Sequence, residues 1–165
     1  MLKSYWRSFA VQLFATLLFA LALRTFLFST YVVLGSSMED SLHTGDIVLV
    51  WKGPQQLARG DVVMLKRSDY DLCLIKRVIA LPGEVVEIKG PEVLVNNTPV
   101  PQPAAGHPGS YQMGALQVPP DSYFVLGDNR DHSRDSQIFG PFKRDEIVGK
   151  AIARLWPLDK VGAIL

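Results

Sequence analysis

Leu74–Val95 reads LIKRVIALPGEVVEIKGPEVLV. Three short runs rich in β-branched residues, Leu74–Leu81, Glu84–Ile88 and Glu92–Val95, are separated by Pro82-Gly83 and Gly90-Pro91. Runs of this length bounded by Pro and Gly read as strands joined by turns. Proline removes a ladder donor, and glycine takes the positive φ a tight turn needs. The spacing predicts that these three runs form a meander. Working outward, Asp46–Trp51 (DIVLVW), Asp61–Leu65 (DVVML), Tyr123–Leu126 (YFVL) and Ile147–Leu155 (IVGKAIARL) have the same texture, and Asn96-Asn97 is a further turn signal. Pro101–Pro120 holds five prolines and three glycines without periodicity and reads as a long surface loop. The fold class is mainly β.

The N-terminal end differs. Between Arg7 and Arg24 lie sixteen residues whose only polar members are Ser8, Gln12 and Thr16. As a helix they span about 24 Å, somewhat short of a bilayer core, but Thr25–Leu34 carries no charge and continues the apolar stretch past Arg24. Lys3 and Arg7 precede it, which favours a cytoplasmic N-terminus. The expected layout is residues 1–7 cytoplasmic, 8–28 a transmembrane anchor, and 29–165 a β-rich extracytoplasmic domain. Two alternatives stand beside it: a cleaved signal peptide, whose small-x-small site Ala20-Leu21-Ala22 mimics, and a buried core helix.

Composition narrows the chemistry. The 165 residues are 48% hydrophobic and 20% charged, with a net charge of +1, so no basic excess marks a nucleic-acid binder. A single cysteine, Cys73, forbids an internal disulfide, and His43, His107 and His132 are too scattered for a zinc site. No metal is expected.

Three segments set unusual side chains among apolar strands. Gly35-Ser36-Ser37-Met38 follows the apolar run Tyr31–Leu34, either as an ordinary Ser/Gly loop or as a bend exposing a hydroxyl and free N–H groups. Lys76 shares a strand face with Leu74 and Val78. It is either an edge lysine whose ammonium reaches water or a desolvated amine with a lowered pKa that accepts a serine proton. Gly127–Ser136 (GDNRDHSRDS) packs five charges and two hydroxyls after a strand. Its reading is a solvated turn, an Asp/Arg network, or, through Asp131, His132 and Ser133, a source of triad residues. Neighbours in sequence cannot form that relay among themselves, so His132 would need the fold to bring it to Ser37.

In order, GSSM with Leu42 after it, GDIVLV, RGDVVML, IKRVIALPGE and GDNRDHSRDS resemble bacterial type I signal peptidase, and Arg24–Phe28 also fits. The resemblance runs from about Arg24 to Ile152. It implies a membrane-anchored serine protease with a Ser/Lys dyad on a β-barrel or sheet domain, cleaving signal peptides from exported proteins without metal or cofactor. On the matching positions, Ser37 is the nucleophile, Lys76 the general base, and Ser133 the serine that bonds and orients the amine. The Ser37 N–H is one oxyanion donor, with Gly35, Ser36 and Met38 flanking it at the oxyanion and substrate position. Gly127, Asp128, Asn129, Arg130 and Asp135 form the turn that holds Ser133. Gly35 stands where some members place a serine donor, so Gly35→Ser is expected to be harmless or beneficial. Asp40 stands where proline is common, His132 replaces asparagine, and Gln137 replaces an arginine that pairs with Asp135, a charge Arg77 could supply. The run Tyr31–Gly35 is the expected edge for an extended substrate. The implied partners are preprotein signal peptides, the lipid bilayer and the export channel, without nucleic acid. Competing readings are a pilin or conjugation-factor processing peptidase with the same dyad, and a catalytically idle anchored module that binds preproteins.

Overall fold

In a computed structural model, which describes residues 2–39, 41–53, 56–67, 72–101 and 109–164, the N-terminal stretch is one helix, α1 (Leu2–Leu27). Met1, Asp40, Leu165 and the 102–108 part of the expected loop, with His107, lie outside the described residues. None of the apolar stretch Phe9–Leu27 is buried within the chain, which overturns the core-helix alternative. Its 19 residues extend about 28 Å, close to the thickness of a bilayer core. The helix passes directly into β1 (Phe28–Val32). Its terminal carbonyls, which lack partners within the helix, are met by Lys52, whose Nζ donates to Thr25 O at 2.8 Å and whose amide donates to Leu27 O at 2.7 Å.

The remaining strands are β2 (Ile47–Trp51), β3 (Val62–Arg67), β4 (Leu72–Ala80), β5 (Val85–Lys89), β6 (Glu92–Val95), β7 (Thr98–Pro99), β8 (Gln112–Gln117), β9 (Ser122–Leu126), β10 (Phe142–Lys143), β11 (Ile147–Trp156) and β12 (Gly162–Ala163). They form two antiparallel sheets. One has eight strands in the order β1-β2-β11-β3-β4-β9-β10, with β12 on β11, and the other has four in the order β7-β6-β5-β8. Every strand read from the sequence is present.

Two expectations are corrected. The meander is not formed: β4 pairs with β3 and β9, whereas β5 belongs to the second sheet, so only β5 and β6 make a hairpin. Pro82-Gly83 turns the chain between sheets rather than between neighbours. The Pro-rich loop is also interrupted by a strand, because β8 pairs with β5. Leu116 and Met113, three apart, face Val86 and Ile88, two apart, so one extra residue breaks the period of two and hides the strand.

The large sheet is covered on both faces where β3 and β4 run. Val62, Val63, Met64 and Leu65 are consecutively buried, and their neighbours divide between one cluster around Val48, Val50 and Ile75 and another around Val78, Val125 and Phe142. A third cluster joins β9 to the small sheet through Phe124, Leu126, Val86 and Ile88. The turn after β1 is fixed to the first cluster by Met38 and Leu42, both 0% exposed. Burying such side chains contributes about 1.5–3 kcal/mol each, enough to hold a short turn in one place.

Candidate active site

Ser37 lies in the turn that follows the β1 edge. Gly35 opens it at φ +86°, Glu39 N donates to Ser36 O at 3.1 Å, and Leu42 N donates to Met38 O at 2.8 Å. Ser37 is thereby left half-buried between two anchors. Met38, expected beside the substrate, has its side chain wholly inside the core. In this structure its side chain anchors the turn to the core.

Lys76, in the middle of β4, points its amine at this turn. Its Nζ is 2.6 Å from Ser37 Oγ and donates to Ile75 O at 2.7 Å. The residue is 2% exposed, which removes the edge-lysine reading. Burial is the main cause that lowers its pKa from 10.5 to about 8, with the charges of Asp135 and Asp128 pulling the other way. An amine that sheds its proton near pH 8 while touching a hydroxyl can take that hydroxyl's proton as the oxygen attacks.

The Gly127–Ser136 segment closes round the pair from β9. Because Arg77 pairs with Leu126, the chain at Gly127 leaves the ladder next to Lys76. A Cβ on Gly127 would lie 2.3 Å from Ser133 Oγ and 2.4 Å from Ser37 O, so only glycine lets the two serine-bearing segments meet here. Asn129 N donates to Ser37 O at 3.1 Å, tying the turn from the other side. Arg130 Nε donates to Gly127 O at 2.9 Å. The Arg77 guanidinium grips Asp128 at two points, both 2.9 Å. The charge that the sequence reading offered to Asp135 is therefore placed on Asp128.

Asp135 is completely buried. It accepts from Ser133 Oγ, from Gly127 N at 2.8 Å and from Gln137 N at 3.0 Å, the last as the N-cap of α2 (Ser136–Phe139). Burial raises its pKa, opposed by these hydrogen bonds and by Lys76. The Gln137 contact is through the backbone, so losing an arginine there leaves the carboxylate satisfied. The expected bond from Ser133 to the lysine amine is not made. Ser133 donates to Asp135, and the amine bonds Ser37 and Ile75.

His132 is exposed, and its Nδ1 lies 3.3 Å from Asn129 Oδ1. It takes no place beside Ser37 in the hydrogen-bonding of the described residues. Those residues also hold no cluster of His, Cys, Asp and Glu suited to a metal ion.

A match to the model for "Signal peptidase, peptidase S26" spans residues 6–156, most of the chain, helix included. The chain belongs to this signal peptidase family. Its relatives include a signal peptidase I of Leptolyngbya laminosa, 37% identical and covering 88% of this chain and 77% of that one. A probable signal peptidase I-2 of Synechocystis sp. is 32% identical over 98% of this chain and 78% of its own. Among solved structures, a signal peptidase I from Enterococcus faecalis superposes with a TM-score of 0.51 at 27% identity, over 59% of this chain and 98% of that one. The mainly β domain behind one apolar helix is thus the signal peptidase fold.

Within this signal peptidase fold, a cleft of about 130 Å3 opens beside the Ser37–Lys76 pair. Tyr31, Val33 and Leu34 line it on the β1 side, and Met64, Cys73 and Ile75 on the β3–β4 side. Among the described residues β1 pairs only with β2, which leaves its other edge unpaired there, in line with the expected substrate edge. Met64 and Cys73 were missed because nothing in their local sequence marks them. Only the β3–β4 register, which sets Met64 opposite Ile75 and Lys66 opposite Cys73, brings them to the cleft.

Proposed function

We propose that this chain is a membrane-anchored serine endopeptidase that removes N-terminal signal peptides from exported preproteins. The 2.6 Å contact between Lys76 Nζ and Ser37 Oγ, made by an amine with a depressed pKa, carries the reading. Ser37 is the nucleophile and Lys76 the general base. The neutral amine takes the Ser37 proton as Oγ adds to the scissile carbonyl carbon, and the oxyanion is received by the Ser37 N–H. Lys76 returns the proton to the leaving amine, and an acyl-enzyme on Ser37 remains. Water then attacks the ester, giving a proton to Lys76, and Ser37 departs with that proton. Ser133 acts through Asp135, as part of the buried network that backs the amine.

An extended substrate segment fits the cleft between the free edge of β1 and β4, adding a strand whose alternate side chains meet apolar walls. The apolar helix, unburied and included in the family match, supports residues 8–28 as anchor, 1–7 in the cytoplasm and 29–165 outside the bacterial cytoplasmic membrane. Residence there brings the active face to preproteins emerging from the export channel. The pair also argues against an idle binding module, since it is assembled at bonding distance.

The test is incubation of the full chain in detergent with a model preprotein, wild type against Ser37→Ala. Loss of cleavage with an unchanged unfolding midpoint supports the reading. A Ser37→Ala protein that still cleaves removes the nucleophile from this position.

A further inference from the structure

Arg154 is a charged residue on the inner side of the large sheet. β11 pairs Ala151 with Val50, Ala153 with Leu49 and Arg154 with Val48, so Ile152 is an extra residue on one strand. In a regular strand, residues 151 and 154 point to opposite faces. The bulge shifts the phase by one, and Arg154 follows Ala151 to the side of Val48 and Val50, both 0% exposed. A second irregularity between Arg154 and Trp156 restores the outward course. A guanidinium directed inward costs free energy unless it is paired, and this one meets two groups of the same turn. Its Nη2 donates to Ser41 O, and its Nε forms an ion pair, without a hydrogen bond, with Oδ2 of Asp46 at 3.3 Å; Asp46 is 3% exposed. The same Oδ2 accepts from His43 N at 3.0 Å, and Asp46 O accepts from Val33 N at 2.8 Å. Arg154 thus touches one side of the Ser37 turn at Ser41 and, through Asp46, holds the other at Val33.

We propose that Arg154 is a positioning residue: with Asp46 it clasps the segment from Val33 to Asp46 and holds Ser37 in register with Lys76. This rests on the peptidase reading above and deepens it.

The experiment compares full-length wild type, Arg154→Met, Arg154→Lys and Lys150→Met in detergent. Lys150→Met is the control: it removes an ion pair of the same strand, Lys150 Nζ to Asp61 at 2.6 Å, without touching the Ser37 turn. Arg154→Met should lower kcat at least tenfold with KM within twofold, while Lys150→Met keeps kcat. Arg154→Lys retains the charge beside Asp46 but cannot span both partners. It should fold, with kcat reduced about fivefold, and it decides the matter if the Met variant does not fold. Hydrogen exchange gives a readout independent of cleavage: the amides of Val33 and Leu42 should exchange at least tenfold faster in Arg154→Lys, and those of β3 should not change. The clasp is refuted by unchanged exchange at Val33 and Leu42, by kcat within twofold of wild type in the Arg154 variants, or by an equal kcat loss in Lys150→Met. An inactive wild type with the predicted exchange pattern would instead count against the peptidase reading and leave the clasp standing.

Discussion

Replacing Lys76 by methionine should stabilise the protein near neutral pH in a manner that fades as the pH rises. Lowering the pKa from 10.5 in the unfolded chain to about 8 in the folded one corresponds to about 3 kcal/mol, at 1.36 kcal/mol per pH unit. Below about pH 8 both states hold the proton, and folding carries the whole penalty of burying an ammonium. Between pH 8 and 10.5 the folded state has lost the proton while the unfolded chain keeps it, so wild-type stability rises. Above 10.5 the two states match and no penalty remains. Methionine has no proton to lose. It also leaves Ile75 O without the lysine donor, but that cost is the same at every pH and does not alter the slope. Urea unfolding of both full-length proteins in nonionic detergent, followed by tryptophan fluorescence at intervals from pH 7 to 10.5, gives the difference directly. Other titrating groups are common to both and cancel. The wild type should gain about 3 kcal/mol on the variant across that range. A flat difference would mean that the amine is not desolvated, and the chemistry built on its neutral form would fail with it. In the wild type, kcat/KM should rise about tenfold per pH unit up to pH 8 and then level, while Lys76→Arg should be inactive because a guanidinium keeps its proton.

Gly127→Ala should reduce cleavage more than a hundredfold and cost about 1–3 kcal/mol, since the new methyl meets Ser133 Oγ and Ser37 O; wild-type kinetics in that variant would show that the segments separate without harm. Gly35→Ser, which the family pattern suggested as harmless, should instead lose stability by about 1–2 kcal/mol through the +86° φ, although the site has open space; denaturation and kcat measured together would expose the opposite outcome, a more active and equally stable enzyme. His132→Asn should keep kcat and the pH profile within twofold, because the exposed ring bonds only the Asn129 side chain among the described residues; a dead variant would reopen a histidine mechanism.

The pairing of Ser37 with Lys76 was legible because each is an anomaly in its place. A lysine flanked by Leu74 and Val78 and a Gly-Ser-Ser bend after an apolar edge both contradict the local pattern, and the family order of motifs joined them. Connections that depend on register were not legible. The strand Gln112–Gln117 was hidden by one extra residue, and the same device in β11 turned Arg154 inward against simple alternation. The partners of Arg77 and Ser133 were likewise assigned to plausible neighbours. Asp128 and Asp135 lie seven residues apart in one irregular segment, and only its folded course decides which carboxylate faces Arg77 and which faces Ser133.

The passage from α1 to β1 takes place between Leu27 and Phe28 with no linker. Five strand residues rise about 17 Å, and the Ser37 turn follows within a few residues more. Lys52 donates to the carbonyls of Thr25 and Leu27 and so ties the end of this arm to the residue after β2. On the anchored reading proposed above, the lipid surface is the zero of a height gauge and the Ser37 turn is its mark. A substrate anchored by its own apolar segment presents its bonds at increasing heights, and the one at the gauge mark is cut. On the same anchored reading, lengthening the polar stretch between a substrate's apolar segment and its small residues should therefore carry the cleavage site out of reach of Ser37.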